Sequence, residues 1–228
     1  MYGKNKKKTK KKTTKKNYKR SRSMFKKSSN APMAKSFKFK TRYHEDGLSV
    51  NPGAGGILLS HVFTANGLFN PNITGGVNKH RVLGFDQLML MYDHYNVIGC
   101  RARIDFINTD ANLNTRVGVY INDDANVIAD PYKIIENGLG KYMTLGKQTT
   151  SKGVQSMTIN TSIKKFFKSK VLSDDKLRGN ATSNPAEQLY IHVWADNPQG
   201  NDPAAVSFTI TIEYIAILTE PKKLNISQ

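Results

Sequence analysis

Stretch after stretch of this chain alternates apolar and polar residues with period two, and the alternation begins at residue 37. Phe37, Phe39, Thr41 and Tyr43 fall on one side of an extended segment, and Lys38, Lys40 and Arg42 on the other. That spacing predicts a strand with one apolar and one uniformly basic face. Residues 50–56 contain the Pro/Gly cluster NPGAGG and predict a loop, followed by a strand over 57–63. Residues 66–80 carry Gly67, Pro71, Gly75 and Gly76 and predict an exposed loop. Its last residue, His80, with Arg81 beside it, reads as a solvated loop end.

The segment 84–108, GFDQLMLMYDHYNVIGCRARIDFIN, changes period halfway. Phe85, Leu88, Met89 and Tyr92 recur at helical spacing and predict a short helix. From Asn96 the period is two. Ile98, Cys100, Ala102, Ile104 and Phe106 form a cleanly apolar face; Val97, Gly99, Arg101, Arg103, Asp105 and Ile107 form the other. Cys100 is thereby placed in the core rather than at a nucleophile's position. Further strands are predicted over 115–122, 142–146, 154–160, 189–195 and 205–219. Asp130-Pro131 has the form of a helix N-cap followed by proline in the first turn, with Gly138 as the stop. Residues 161–169 show helical spacing, with Ile163, Phe166 and Phe167 inward and Lys164, Lys165 and Lys168 outward. The polar stretch 170–185 predicts an external loop. About eight strands, long loops, a few short helices and no βαβ alternation predict an all-β protein of two packed sheets. An eight-stranded jelly-roll β-sandwich is the best-fitting member of that class.

Charge changes the picture at the start of the chain. Residues 1–42 hold 18 Lys or Arg and no Asp or Glu, while residues 43–228 hold 17 of each sign. The net charge of +18 therefore belongs wholly to the leader. Such a composition buries too little apolar surface to offset its ordering entropy. A disordered Lys-rich arm over 1–35 is expected, ahead of the jelly-roll domain over 36–228. A block of like charge beside a neutral domain reads as an interaction arm for a polyanion, nucleic acid first. The residues expected to bind are Lys4, Lys6, Lys7, Lys8, Lys10, Lys11, Lys12, Lys15, Lys16, Lys19, Arg20, Arg22, Lys26, Lys27, Lys35, Lys38, Lys40 and Arg42. The runs 6–12 and 15–22 also have the composition of nuclear-import signals, so host import factors are expected partners. Apolar anchors are too sparse in the arm for membrane attachment, and no apolar run approaches the ~20 residues that span a bilayer. The charged start lacks the apolar core of a secretory signal, and one cysteine permits no internal disulfide.

Candidate chemistry is thin. The histidines at 44, 61, 80, 94 and 192 share no metal-ligand spacing, and neither CxxC nor HExxH occurs. Asp93-His94 lacks a nucleophile and a third partner, and Asp123, Asp124 and Asp130 lack the EF-hand spacing and closing Glu. Gly53, Gly55 and Gly56 lack the Lys-Ser/Thr of a phosphate-binding loop. No enzyme activity, cofactor or metal is expected.

The arm, the 84–108 segment and the closing VSFTITIEYIAIL strand together resemble capsid (coat) proteins of circovirus-like, circular, replication-initiator-encoding single-stranded DNA viruses. The part that carries the resemblance is Phe85-Asp86-Gln87 followed by Tyr92, Tyr95 and Val97 leading into a core strand. The resemblance implies a capsid protein that self-assembles into a small icosahedral shell of 60 copies. It implies packaging of a single-stranded DNA genome, location in the virion, and passage through the host nucleus during assembly. Here the arm is dominated by Lys where circovirus arms are rich in Arg. A coat protein of a small RNA or satellite virus stays open beside it, as does a cellular basic-tailed nucleic-acid-binding protein. An extended arm of ~40 residues reaches on the order of 130 Å, long enough to follow a genome inside a shell. About 60 copies of the arm would neutralise on the order of a thousand phosphates.

Overall fold

A computed structural model of the chain describes residues 33–52, 59–75 and 80–223. The expected disorder of the arm, and the binding residues from Lys4 to Lys27, lie outside them, as do most of the NPGAGG loop and residues 57 and 58.

Besides three single-turn 3-10 helices, the described residues form nine strands and three α-helices: β1 (Ser36–Val50), β2 (Leu59–Thr64), α1 (Phe85–Met89), β3 (Tyr92–Asn108), β4 (Thr115–Asn122), α2 (Pro131–Glu136), β5 (Gly140–Leu145), β6 (Val154–Ser162), α3 (Ile163–Phe167), β7 (Gly179–Asn180), β8 (Tyr190–Asp196) and β9 (Val206–Pro221). They form two antiparallel sheets, one in the order β1-β9-β3-β6 and the other β2-β8-β4-β5, with the two-residue β7 paired to β3. Leaving β7 aside, the strands pair first with last, second with second-last, and so on inward: β1 with β9, β2 with β8, β3 with β6, and β4 with β5. This nested ribbon, wound so that its pairs alternate between two sheets, is a jelly roll.

Period-two patterning seats the core. In β9 the residues Val206, Phe208, Ile210, Ile212, Tyr214, Ala216 and Leu218 are all buried, and those between them are only partly so. Facing residues from both sheets, among them Phe63, Ile104, Phe106, Val117, Val119, Ile191 and Val193, complete one apolar cluster. The Tyr214 hydroxyl crosses that layer and donates to the Thr64 carbonyl at 2.7 Å. Cys100 lies in the same layer as a free thiol, and burial pushes its pKa up to about 12.

Several expectations are met closely. β4 spans 115–122 as its alternation predicted, and Asp130 caps α2 by accepting from the Tyr132 amide at 2.9 Å. Gly138 ends that turn at φ +62, a conformation that favours glycine.

Others are corrected. The apolar face assigned to β3 breaks at Ile98, which is half-buried while Val97 is fully buried. Val97 pairs with Ala216 and Gly99 with Ile215, so Ile98 is an extra residue in a bulge that shifts the phase by one. The loop over 66–80 is not exposed through its first half, where Asn66, Leu68 and Asn72 are buried. Side chains replace the missing ladder there. Asn66 accepts from the Leu189 amide and donates to the Glu187 carbonyl, and Asn184 accepts from the amides of Phe69 and Asn70. The stretch 170–185 is likewise only partly external. Val171 and Leu177 are buried, and their carbonyls both accept from the Asn96 amide group. In α3, Phe166 points outward at 38 % exposure because the helix is a single turn, too short for a full inward face.

Candidate nucleic-acid interface

β1 lies at the edge of its sheet, and its alternation puts Thr41 and Tyr43 into the core while Lys38, Lys40 and Arg42 stand exposed on the opposite face. Lys35, just before the strand, is exposed as well. These four are the described members of the expected binding set.

The neighbouring strands add residues that the sequence alone did not single out for binding. Arg42 pairs across the ladder with Glu213 of β9, and Glu213 in turn pairs with Arg101 of β3. Adjacent strands lie about 4.8 Å apart, so Arg42 and Arg101 flank Glu213 within about 10 Å of each other. Two residues along β3, Arg103 shares the same face. The signal was present in the sequence, since Arg101 and Arg103 alternate opposite an apolar face. What it could not supply was the pairing that brings β3 within two strands of β1.

Charges on this face are partly paired. Arg42 Nε donates to Glu213 Oε1 at 2.8 Å, and Arg103 Nε to Asp105 Oδ1 at 3.0 Å. Ser156 also donates to Asp105. Among the described residues, the side chains of Lys38, Lys40 and Arg101 have no ion-pair or hydrogen-bond partner. The face thus carries Lys38, Lys40, Arg42, Arg101 and Arg103 against Glu213, Asp105 and, paired to His44 at one end, Asp46, a net of five minus three. The neutrality of residues 43–228 as a whole hides this, because the excess comes from β1 and β3 placed on either side of β9.

The remaining sequence candidates do not converge. Asp93 faces Lys222 at 3.8 Å and His94 faces Glu220 at 3.5 Å, so neighbours in sequence point to separate partners. Asp130 caps α2, and Asp124 accepts from the Asn126 amide at 2.8 Å. His80 stacks on Tyr43 at 4.4 Å, and Arg81 lies over the Phe69 ring at 4.6 Å while pairing with Asp86. That clasp closes the C-terminal end of the 66–80 loop. Among the described residues no group of three or more His, Cys, Asp or Glu is arranged to hold a metal, and no helix is long and apolar enough to cross a membrane.

Two buried polar networks lie apart from the basic face. Glu45 accepts from the Tyr43 hydroxyl and from Asn72 Nδ2 at 2.8 Å, and His61 Nε2 donates to Asn72 Oδ1 at 3.1 Å. His192 donates from Nε2 to the Asp124 carbonyl at 2.9 Å and stacks on Tyr120, while its Nδ1 lies 3.1 Å from Ser60 Oγ. Burial pushes the pKa of both His61 and His192 down, so the neutral imidazole fits each site.

No family model matches the chain, and no curated relative matches it. Among solved structures, it is similar to that of Desmodium yellow mottle tymovirus, with 13% identity and a TM-score of 0.44, covering 86% of this chain and 95% of that one. It is similar to a semi-empty virus-like particle of the giant freshwater prawn Macrobrachium rosenbergii nodavirus, with 10% identity and a TM-score of 0.48, covering 90% and 93%. Cocksfoot mottle virus gives 11% identity and a TM-score of 0.48, covering 82% and 96%. The strand order traced above stands without them.

Proposed function

We propose that this chain is a viral coat protein that assembles into a closed icosahedral shell and packages a single-stranded genome through its basic arm. The observation that carries this reading is a jelly roll whose first strand continues, at alternate residues, the charge of the 14 cations in residues 1–34. Packaging needs phosphate neutralisation without base reading, which flexible Lys and Arg supply by displacing counterions. The long inserted loops and the apolar sandwich suit a unit that meets copies of itself on several sides. Shells of 60 copies are the smallest closed assembly of this kind.

Lysine does not distinguish ribose from deoxyribose, so the cargo is single-stranded nucleic acid of either sugar. The DNA genome implied by the circovirus-like resemblance is narrowed accordingly: the viruses named above are not of that group, and an RNA genome stands beside it. Nuclear import through residues 6–12 and 15–22 accompanies the DNA case. A cellular nucleic-acid-binding protein is the reading from a different class; it predicts a monomer or small ring.

Negative-stain microscopy and light scattering of the purified full chain test the proposal. Uniform closed particles containing nuclease-protected nucleic acid are expected, and sequencing that nucleic acid with DNase and RNase controls identifies the genome type. A protein that stays monomeric at high concentration across salt and pH overturns it. Deleting residues 1–34 removes 14 basic residues and should leave the fold intact while abolishing most uptake. Anisotropy titrations on single-stranded DNA and RNA measure this, and unchanged affinity after truncation would sink the arm's role.

A further inference from the structure

Two adjoining depressions cross the outer face of the β1-β9-β3-β6 sheet, and Arg101 and Glu213 line both. The larger has a volume of about 640 Å³. Lys40 and Arg42 wall it on one side and Arg101 on the other, while Gly99, Ile215 and the highly exposed Leu83 supply apolar surface. The smaller, about 330 Å³, is lined by Arg101, Arg103, Asp105, Thr211 and Glu213. Resting on the coat-protein reading, we propose that this track holds a short run of single-stranded nucleic acid, one base in the larger depression and phosphates on Lys40, Arg101 and Arg103.

Several features of the face argue for that occupant. The larger depression falls within the roughly 300–1,000 Å³ range of small-ligand pockets, room enough for a nucleotide. Its apolar wall offers a surface for the face of a base but no array of donors and acceptors to read its edge, as sequence-independent packaging requires. The only acid in it, Glu213, is held by Arg42 at 2.7–2.8 Å, which offsets its repulsion of a phosphate. The side chains of Lys40 and Arg101, by contrast, have no hydrogen-bond or ion-pair partner among the described residues. Arg101 and Arg103 are two residues apart on one strand, about 7 Å, a separation close to that of successive phosphates in an extended single strand. A duplex, with its bases stacked inside, has none to seat.

The test uses the full chain with single-stranded DNA and RNA oligonucleotides carrying 5-iodouracil. Photo-cross-linked peptides are mapped by mass spectrometry, and affinities are measured by anisotropy at several salt concentrations. Cross-links are expected within residues 97–103 and 213–217 as well as in the arm. Lys40→Ala/Arg101→Ala should weaken binding about tenfold near 0.2 M salt and lower the log–log salt slope by about 1.4, the share of two phosphates on a single strand. The control Lys133→Ala/Lys147→Ala, which removes two exposed cations outside the track, should change affinity less than about twofold. Leu83→Ser keeps the backbone bonds that Leu83 makes to β1 and should cost roughly threefold in affinity with the salt slope unchanged, since it touches the base seat alone.

Cross-links confined to residues 1–35, with the double variant and its control indistinguishable, overturn the track and leave the arm model standing. Stronger competition from a poly-glutamate peptide or from anionic phosphatidylserine vesicles than from unlabelled oligonucleotide also overturns it, in favour of an acidic-protein or membrane ligand. An intact protein that binds no nucleic acid removes the coat-protein reading itself.

Discussion

The two sheets are built from similar alternating strands, yet their outer faces have opposite fates. On the β2-β8-β4-β5 sheet the outward residues of β8 and β4 are covered: Trp194 and Tyr120 are fully buried against Ile134 of α2. Arg116 and Asp196, directly opposed in register, form an ion pair with side-chain exposures of 11% and 4%. Gly118 is required there, because a side chain would meet the Trp194 ring at 2.4 Å. On the β1-β9-β3-β6 sheet, Lys38, Lys40, Arg42, Arg101 and Arg103 stand in the open. The connection between β4 and β5 makes the difference, since it folds α2 back over its own sheet. One face thereby becomes part of the core and governs stability, while the other stays solvated and is free to bind.

The largest effects are expected on the covered face. Arg116→Ala strands the buried Asp196 carboxylate and should lower unfolding free energy by about 3–5 kcal/mol. Trp194→Ala should cost a similar amount, about 3–5 kcal/mol, through the cavity it leaves. Replacing both charges with apolar residues of similar size, Arg116→Met/Asp196→Leu, should recover most of the first loss. Urea unfolding of the three variants measures this. An Arg116→Ala protein as stable as the parent would mean that the face is wet and that the contrast between the sheets is false.

How much of this contrast was legible beforehand follows from where the information sits. β4, the Asp130 cap and the inward face of β3 from Cys100 to Phe106 depend on local spacing, and local spacing is what a sequence displays. β1 and β9 are separated by about 170 residues, and nothing local says that Arg42 will oppose Glu213. The bulge at Ile98 is set by the partner strand, so the period alone read through it. Residues 66–75 look like an exposed loop because they are rich in Asn, Gly and Pro. Their asparagines are instead the bonding groups that let irregular backbone be buried. The cover over Trp194 was hidden for the same reason as the open basic face: each depends on which distant segment arrives.

A smaller effect on stability should come from pH. His61 on β2 and His192 on β8 have folded-state pKa values held below the ordinary 6.5, first by burial. Glu45 and the Asn72 bond oppose this at His61; the Asp124 carbonyl bond and carboxylate oppose it at His192. Above about 6.5 both states are neutral at these positions and the full stability is present. Below it the unfolded chain takes up protons that the folded chain resists, so stability should fall from pH 7 toward pH 5. Carboxylates such as Asp110, whose pKa is lowered by backbone amide bonds, contribute only at lower pH. Urea midpoints at pH 7.5, 6.0 and 5.0 should decline for the parent and decline less for His61→Gln/His192→Gln. Parallel curves for the two proteins would remove the histidines from the account.

The smallest effects on stability are expected on the open face, and that is what makes them informative. Lys38, Lys40 and Arg101 are exposed and their side chains make no hydrogen bond or ion pair among the described residues, so alanine at any of them should leave the unfolding midpoint nearly unchanged. Arg42→Ala breaks an ion pair whose side chains are 71% and 41% exposed, and pairs so placed contribute little because water and salt screen them. Added salt should therefore weaken nucleic-acid binding steeply while hardly moving the unfolding midpoint of the free protein. Measuring both quantities on the same preparations at low and high salt puts the comparison at risk directly. If Lys40→Ala or Arg101→Ala shifts the unfolding midpoint as Arg116→Ala does, the open face is structural and its cations are not held for a ligand.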